Sequence, residues 1–170
     1  MRAISLSVLF TVCGAVLSLP QQSTRSGSTK WKTLDGRPTV LFAHRGEKVL
    51  FPEHTIPAYK TASILGADFV EPDLVLTKDD IFVCHHDLYL RDGTDVAEHP
   101  EFSHLKEQIS PGNFNWYIRN FTLAELKTLR VIQQKTGVRP QEYNRLFTIP
   151  TFREYLQAVH EMIYKLNKTI

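Results

Sequence analysis

The sequence predicts an α/β fold built around a βαβ unit in its first half. Two apolar runs, 39–43 and 68–76, have the composition of β-strands. A helical pattern at 56–65 lies between them and ends at Gly66, a typical residue just after a helix. A further apolar run, 81–84, follows after a polar turn. Strand, helix and strand in this order indicate a parallel sheet.

Ionisable residues gather where these predicted strands end or turn outward. Side chains in a strand alternate between faces, so Glu71 and Asp73 point the same way and repel each other unless a cation lies between them. Carboxylate oxygens suit a hard cation, Mg²⁺ or Ca²⁺. His44 and His86 can exchange protons near neutral pH, and Arg45 has a planar fork that matches phosphate oxygens. The set favours metal-assisted hydrolysis of a phosphate ester.

Five segments of this region carry a resemblance to a known family. They are His-Arg-Gly at 44–46, Pro-Glu-His-Thr at 52–55, and the segments 66–73, 76–79 and 86–87. In order and spacing they are similar to the signature of the glycerophosphodiester phosphodiesterases. The resemblance implies a TIM (β/α)₈ barrel that hydrolyses glycerophosphodiesters to glycerol 3-phosphate and an alcohol.

The same resemblance implies roles for individual residues. His44 and His86 would form an acid–base pair, and Arg45 would bind the phosphate. Glu71 and Asp73 would be ligands of a divalent metal, Ca²⁺ or Mg²⁺. His86 takes the catalytic place instead of His85 because it directly precedes the aspartate of the family's His-Asp pair. Which histidine is the acid, and whether water or a substrate hydroxyl is the nucleophile, both stay open.

Two features depart from the family pattern. Pro72 stands between the two predicted metal ligands and cannot donate a hydrogen bond to a sheet ladder, so it requires a bulge or an unpaired position. The family's third metal carboxylate lies in a later Pro-Glu-apolar-Lys motif, and nothing in the sequence matches it. A TIM barrel takes about 250 residues, and the chain has 170. We therefore expect the chain to hold only the N-terminal part of the barrel and to be inactive alone.

Two alternative functions compete with this interpretation. A lysophospholipase D or sphingomyelinase D type of activity uses the same barrel, but those relatives usually lack the full set of motifs at 44–46 and 52–55. A non-catalytic barrel would retain the motif for structure alone. A scaffold has no need of two imidazoles at strand ends, which argues against this second alternative.

The sequence divides into three parts. Residues 1–18 are predicted to be a secretory signal peptide, with a signal anchor as the alternative, and 19–37 a flexible lead rich in polar residues. The phosphodiesterase domain is predicted to cover 38–170, with no later segment apolar enough to cross a membrane. This predicts a secreted or lumenal glycoprotein, with acceptor sequons at Asn120 and Asn167.

The second half of the chain is predicted to contain a long excursion at 88–145 and two helices. The helices lie at 122–129, which opens with a capping box, and at 152–166, where Leu156 belongs to the apolar face. A polar stretch as long as 88–115 is usually functional or a subdomain. Its aromatic residues could line the substrate pocket, but aromatic residues more often pack such an excursion onto its base; they are Phe102, Phe114, Trp116 and Tyr117.

Composition limits the partners. The net charge is only +2, and charged residues make up 22% of the chain, so no basic patch indicates nucleic acid. The predicted partner is a small-molecule glycerophosphodiester, and the oligomeric state is undetermined. Cys84 lies on a predicted strand and is assigned no disulfide in this chain, because a buried strand cysteine usually acts as a small hydrophobe.

Overall fold

A computed structural model of the protein describes Gly36 and residues 39–166. The predicted signal peptide, nearly all of the predicted lead, and Asn167 lie outside the described residues. Within 39–166, the helices are all too short or too polar to cross a lipid bilayer.

The predicted βαβ unit is present. Strand β1 covers Phe42–His44, helix α1 covers Ile56–Ile64, and strand β2 covers Phe69–Glu71. The two strands pair in parallel, and His44 lies opposite Glu71 at the end of the ladder. Both strands are shorter than the apolar runs that predicted them, and His44 is the last residue of β1 instead of the first residue after it. The register therefore brings the ends of both strands to one edge of the sheet.

Local sequence determines where α1 begins and ends. The Thr55 side chain accepts a hydrogen bond from the Ala58 backbone N–H, which caps the first turn. Pro57 lies in that first turn, where a missing N–H does no harm. Gly66 follows the helix with a φ of 93°, a left-handed conformation that favours glycine.

The apolar run at 68–76 does not form one strand, so that part of the prediction was wrong. It breaks after β2, and a second strand, β3, covers Leu74–Leu76. The break includes Pro72, which has no N–H to continue a ladder. Strand β3 pairs antiparallel with β4, Phe82–Cys84, so these two strands form a hairpin beside the parallel pair.

The excursion after β4 is structured. A second hairpin consists of β5, Lys106–Ser110, and β6, Asn113–Trp116, and it turns at Gly112. Short 3₁₀ turns flank it at Val96–Glu98, Pro100–Leu105 and Ile118–Asn120. The long polar segment is therefore a small subdomain and not an open loop.

The two predicted helices of the second half are present, although the first is short. Helix α2 covers Leu123–Leu126, and α3 covers Phe152–Lys165. Each begins with a complete capping box, in which a threonine caps the helix and a glutamate at the third position bonds back to it. Leu156 was predicted on the buried face of α3, but 49% of its surface is exposed. The buried face runs instead through Tyr155, Ala158 and Met162.

Two apolar clusters support the described region. The larger lies beneath the excursion and includes Phe102 and Trp116, as predicted, whereas Phe114 is exposed. The indole N–H of Trp116 donates to the Phe102 carbonyl at 2.7 Å, so its one polar group is satisfied. The smaller cluster joins Tyr59 of α1, Cys84 of β4 and Tyr155 of α3. It packs both helices behind the strand ends.

Candidate active site at the strand ends

A tight turn after β1 carries the first predicted site residues. Arg45 and Gly46 have φ values of 67° and 81°, both left-handed. A Cβ on Gly46 would lie 2.8 Å from the Ala58 carbonyl carbon, so only glycine allows the turn to approach α1 this closely. The Glu47 N–H donates to the Ala58 carbonyl at 2.9 Å and fastens the turn to the helix.

The two predicted metal ligands converge with His44. Each of His44, Glu71 and Asp73 offers one ligand atom, and these atoms all lie within 4.8 Å of one another. The Arg45 backbone N–H donates to Glu71 Oε2 at 3.0 Å and so orients that carboxylate. Asp73 lies in the break between β2 and β3, and it reaches the same point although the two residues do not share one strand.

Arg45 is held between two carboxylates. Its Nη1 donates to Glu53 Oε1 at 3.0 Å, and its Nε lies 3.6 Å from Asp73 Oδ2. Glu53 is 10% exposed, so this ion pair is largely shielded from water. The guanidinium plane is therefore fixed beside the carboxylates. Glu53 belongs to the 52–55 motif, but it was not among the predicted site residues.

His44 is approached by cations from both sides. Lys48 Nζ lies 3.0 Å from Nδ1, and Arg45 Nε lies 3.4 Å from Nε2. Both cationic groups can only donate, and a neutral imidazole can accept from only one of them. The Arg45 Nε–H donates to Nε2, and the direction of the Lys48 contact depends on the tautomer of the ring. The two contacts therefore hold the His44 ring between Arg45 and Lys48 and assign no tautomer.

His86 lies at the end of the neighbouring strand β4. The His85 N–H donates to the Asp73 carbonyl at 3.2 Å, which places this end of the chain beside the second carboxylate. His86 Nδ1 lies 2.8 Å from Asp87 Oδ1. Because a carboxylate can only accept, Nδ1 carries the proton and Nε2 is left as the acceptor. The structure thus groups four predicted residues, which are His44, Arg45, Glu71 and Asp73. His86 follows the backbone contact between His85 and Asp73 and lies outside the metal-ligand cluster.

His85 supports the turn beside the site and does not face the site itself. It is buried, and its Nδ1 donates to the Asp87 carbonyl at 2.8 Å, which shapes the turn that carries His86. Burial lowers the pKa of His85, so its ring stays neutral in the folded protein. Its neighbour His86 is exposed, in keeping with opposite directions for the two side chains.

His54 lies at the site, although it was not among the predicted site residues. It is 3% exposed and has a φ of 58°, an uncommon conformation for a residue with a side chain. Its Nε2 lies 3.2 Å from Asp73 Oδ2, and its Nδ1 lies 2.7 Å from the Tyr59 hydroxyl. Burial lowers the pKa of His54 to about 3, although the Asp73 carboxylate raises it. The 52–55 motif was the available signal, but it did not reveal this contact.

Cys84 lies behind the site as a free, buried thiol, as predicted. Burial raises its pKa to about 12, which keeps the sulfur protonated and unreactive at neutral pH. Burial also raises the pKa of Tyr59. Cys84 and Tyr59, which lie behind the carboxylates, are therefore neutral at neutral pH.

The donors of this site suit a divalent cation. Two carboxylates converge from partly buried positions, and a hard cation such as Ca²⁺ or Mg²⁺ prefers oxygen ligands of this kind. The nearby Arg45 offsets only part of the negative charge of Glu71 and Asp73. The cluster also includes an imidazole nitrogen of His44, which can bind a metal or exchange a proton.

Comparisons with known proteins point to one family of enzymes. The model of the glycerophosphoryl diester phosphodiesterase family matches residues 44–170. The chain is 41% identical to a glycerophosphodiester phosphodiesterase of Arabidopsis thaliana, an alignment that covers 89% of this chain and 41% of that protein. It is 28% identical to a glycerophosphodiester phosphodiesterase of Haemophilus influenzae, covering all of this chain and 46% of the relative. The chain thus spans less than half the length of these relatives.

Solved structures extend the likeness to the fold. An Oleispira antarctica phosphodiesterase, solved in complex with its product sn-glycerol-3-phosphate, is 30% identical with a TM-score of 0.53. The match covers 73% of this chain and 41% of that one. A glycerophosphodiester phosphodiesterase of Agrobacterium tumefaciens gives a TM-score of 0.54 at 21% identity, covering 74% and 44%. These likenesses confirm the predicted fold class, part of a TIM barrel.

Proposed function

Because the chain belongs to the glycerophosphoryl diester phosphodiesterase family, we propose that the intact protein hydrolyses glycerophosphodiesters to glycerol 3-phosphate and an alcohol. The convergence of His44, Glu71 and Asp73 at one edge of the sheet is the observation that carries the proposal. The names of the relatives favour this substrate class over the lysophospholipase D alternative. The intact set of strand-end residues argues against a non-catalytic barrel.

Glu71 and Asp73 would hold the divalent metal. Their positions are supported separately, Glu71 by the Arg45 backbone N–H and Asp73 by His54. When bound there, Ca²⁺ or Mg²⁺ would supply positive charge to offset the charge that develops on the phosphoryl oxygens.

Arg45 would bind the substrate phosphate. A guanidinium can donate two parallel hydrogen bonds to a phosphate, but only if its plane is oriented correctly. Glu53 and Asp73 contact this group from two directions and restrict that plane. Their charges also keep the arginine from being an isolated cation in the partly buried site.

The surroundings of the two histidines support different roles. Asp87 beside His86 suits that ring to take up a proton, and His44 would then be the general acid. His86 presents a lone pair at Nε2, the form required of a general base, because Asp87 holds the proton on Nδ1. Asp87 also stabilises the imidazolium that forms when His86 takes up a proton.

The proposed step transfers two protons. An oxygen of water, or of a neighbouring substrate hydroxyl, forms a bond to phosphorus as the bond from phosphorus to the departing alcohol breaks. His86 takes the proton from the attacking oxygen, and His44 gives its proton to the departing alkoxide. With a substrate hydroxyl as nucleophile, a cyclic phosphate forms first and water opens it later.

Two substrates that differ in leaving group test these roles. In the intact protein, His44→Ala and His86→Ala should each lower glycerophosphocholine hydrolysis by about 10²- to 10⁴-fold, the usual contribution of a positioned acid or base. A p-nitrophenyl glycerophosphodiester releases a stable phenolate that needs no proton. His44→Ala should therefore recover much of its rate on that substrate, whereas His86→Ala should stay impaired.

His85→Ala is the matched control because it removes a neighbouring imidazole that faces the interior. It should affect stability more than the rate on either substrate. If His85→Ala loses most of its activity and His86→Ala loses none, then His85 and not His86 is the catalytic histidine. If the rate on the p-nitrophenyl substrate recovers in His86→Ala and not in His44→Ala, the acid and base roles are reversed.

A further inference from the structure

His54 connects the interior of the described region to one of the two carboxylates at the site. The imidazole lies between Asp73 on one side and Tyr59 on the other, at 3.2 Å and 2.7 Å. Tyr59 is completely buried on the first turns of α1, and His54 is nearly so. The three side chains form a continuous chain of hydrogen bonds from the helix to the site edge.

The direction of the Asp73 hydrogen bond follows from its chemistry. An ionised carboxylate can only accept, so His54 Nε2 must carry a proton whether the ring is neutral or charged. The Tyr59 hydroxyl engages the other ring nitrogen and prevents the imidazole from turning that nitrogen toward Asp73. Tyr59 therefore determines which nitrogen of His54 the carboxylate meets.

Asp73 needs such support more than Glu71 does. Glu71 belongs to β2 and accepts a hydrogen bond from the Arg45 backbone, so the strand and the turn both position it. Asp73 lies outside both strands, in the break between β2 and β3, and the bond from the His85 N–H holds only its backbone carbonyl. Its contacts with His54 and Arg45 both go to Oδ2, which leaves Oδ1 for a cation.

We propose that His54 and Tyr59 are positioning residues that hold Asp73 in the orientation that binds the metal. This inference rests on the proposed function, because it takes Asp73 as a metal ligand. The left-handed backbone of His54 agrees with it, since the strained conformation is kept by the surrounding contacts, including the bond from the His54 N–H to the Arg45 carbonyl at 3.1 Å.

The test measures metal affinity without substrate. Ca²⁺ and Mg²⁺ are titrated calorimetrically into the intact, chelator-treated protein and its variants. His54→Leu should weaken binding by about tenfold or more, the usual effect of losing a partner that orients a ligand. Tyr59→Phe keeps the ring and should weaken binding by a smaller factor, about threefold, because it acts one hydrogen bond further away. His54→Gln should retain part of the affinity because its amide offers both a donor and an acceptor.

Tyr155→Phe is the matched control. Tyr155 belongs to the same buried cluster, with its ring 4.7 Å from that of Tyr59, but its hydroxyl donates to the Val70 carbonyl. It should lower the melting temperature as Tyr59→Phe does and leave metal affinity unchanged. Excess metal should restore the activity of Tyr59→Phe, which a general loss of structure would not allow.

The reference variant Asp73→Asn separates failure of this inference from failure of the proposed function. If Asp73→Asn weakens metal binding but Tyr59→Phe and Tyr155→Phe both match the parent, the positioning role is overturned. If Asp73→Asn itself binds metal as the parent does, the proposed metal site is wrong, whatever the other variants show.

Discussion

Gly46→Ala should destabilise the fold far more than the same change at Gly66, a glycine with a similar positive φ. Gly46 has a φ of 81°, and an added Cβ would meet the Ala58 carbonyl carbon at 2.8 Å. Gly66 has a φ of 93° and has open space where its Cβ would lie. The two substitutions share the cost of a left-handed alanine, about 1 kcal/mol. Only Gly46→Ala adds a clash with helix backbone, which cannot turn away as a flexible side chain can.

The difference between the two variants isolates that clash. Overpacking typically destabilises by about 1–3 kcal/mol, so Gly46→Ala should reduce the free energy of unfolding by about 2–4 kcal/mol and Gly66→Ala by about 1 kcal/mol. The turn must also move away from α1, which displaces the Arg45 N–H from Glu71. A displacement approaching 1 Å would lower kcat/KM by up to about 10²-fold.

Urea unfolding of both variants, combined with kcat/KM for glycerophosphocholine, provides the measurement in the intact protein. Gly66→Ala should keep nearly full activity because it lies at the far end of α1 from the site. Equal stability losses for the two glycines would refute the argument that close packing against α1, in addition to φ, requires glycine at position 46.

Two further predictions concern acid stability and export. Burial holds the folded His85 ring neutral with a lowered pKa, so the unfolded chain binds the proton more readily. Stability that is complete above about pH 6.5 should therefore decrease by up to about 1.4 kcal/mol per pH unit below it. His85→Gln should remove the part of this slope that His85 contributes, while His54, whose pKa is also lowered by burial, keeps its own part. Urea unfolding at about pH 7 and about pH 5 measures the slope, and an unchanged slope would count against the assignment. If residues 1–18 direct export, the secreted protein should carry a glycosidase-sensitive mass shift that Asn120→Gln reduces by one glycan and Thr122→Ser retains. A cytosolic chain with Met1 intact would exclude export.

Elements with strong local signals could be predicted from the sequence. Helices α1 and α3 have threonine caps and start where those caps place them. The parallel pairing of β1 with β2 followed from the order of elements alone. The break at Pro72 was anticipated only as a local irregularity, because a missing N–H shows where a ladder is interrupted but not where the chain goes next.

The orientation of α3 and the partners of His54 and Glu53 depend on tertiary contacts, which the sequence alone does not reveal. Leu156 fits the apolar period of α3, but the helix is turned so that Ala158 and Met162 face the interior. His54 and Glu53 lie in a recognised motif, yet their partners are distant in sequence or depend on a left-handed backbone. Periodicity reports which residues share a face, but it does not report which partner that face meets.

Hydrolysis of glycerophosphocholine by chelator-treated protein tests the central claim most directly. Release of glycerol 3-phosphate should cease when EDTA removes the metal and return when Ca²⁺ or Mg²⁺ is added. Glu71→Gln and Asp73→Asn should need much more metal for the same rate, because each removes a charged oxygen ligand. Undiminished turnover in metal-free protein, or normal metal dependence in both variants, would contradict a metal-dependent phosphodiesterase site at these strand ends.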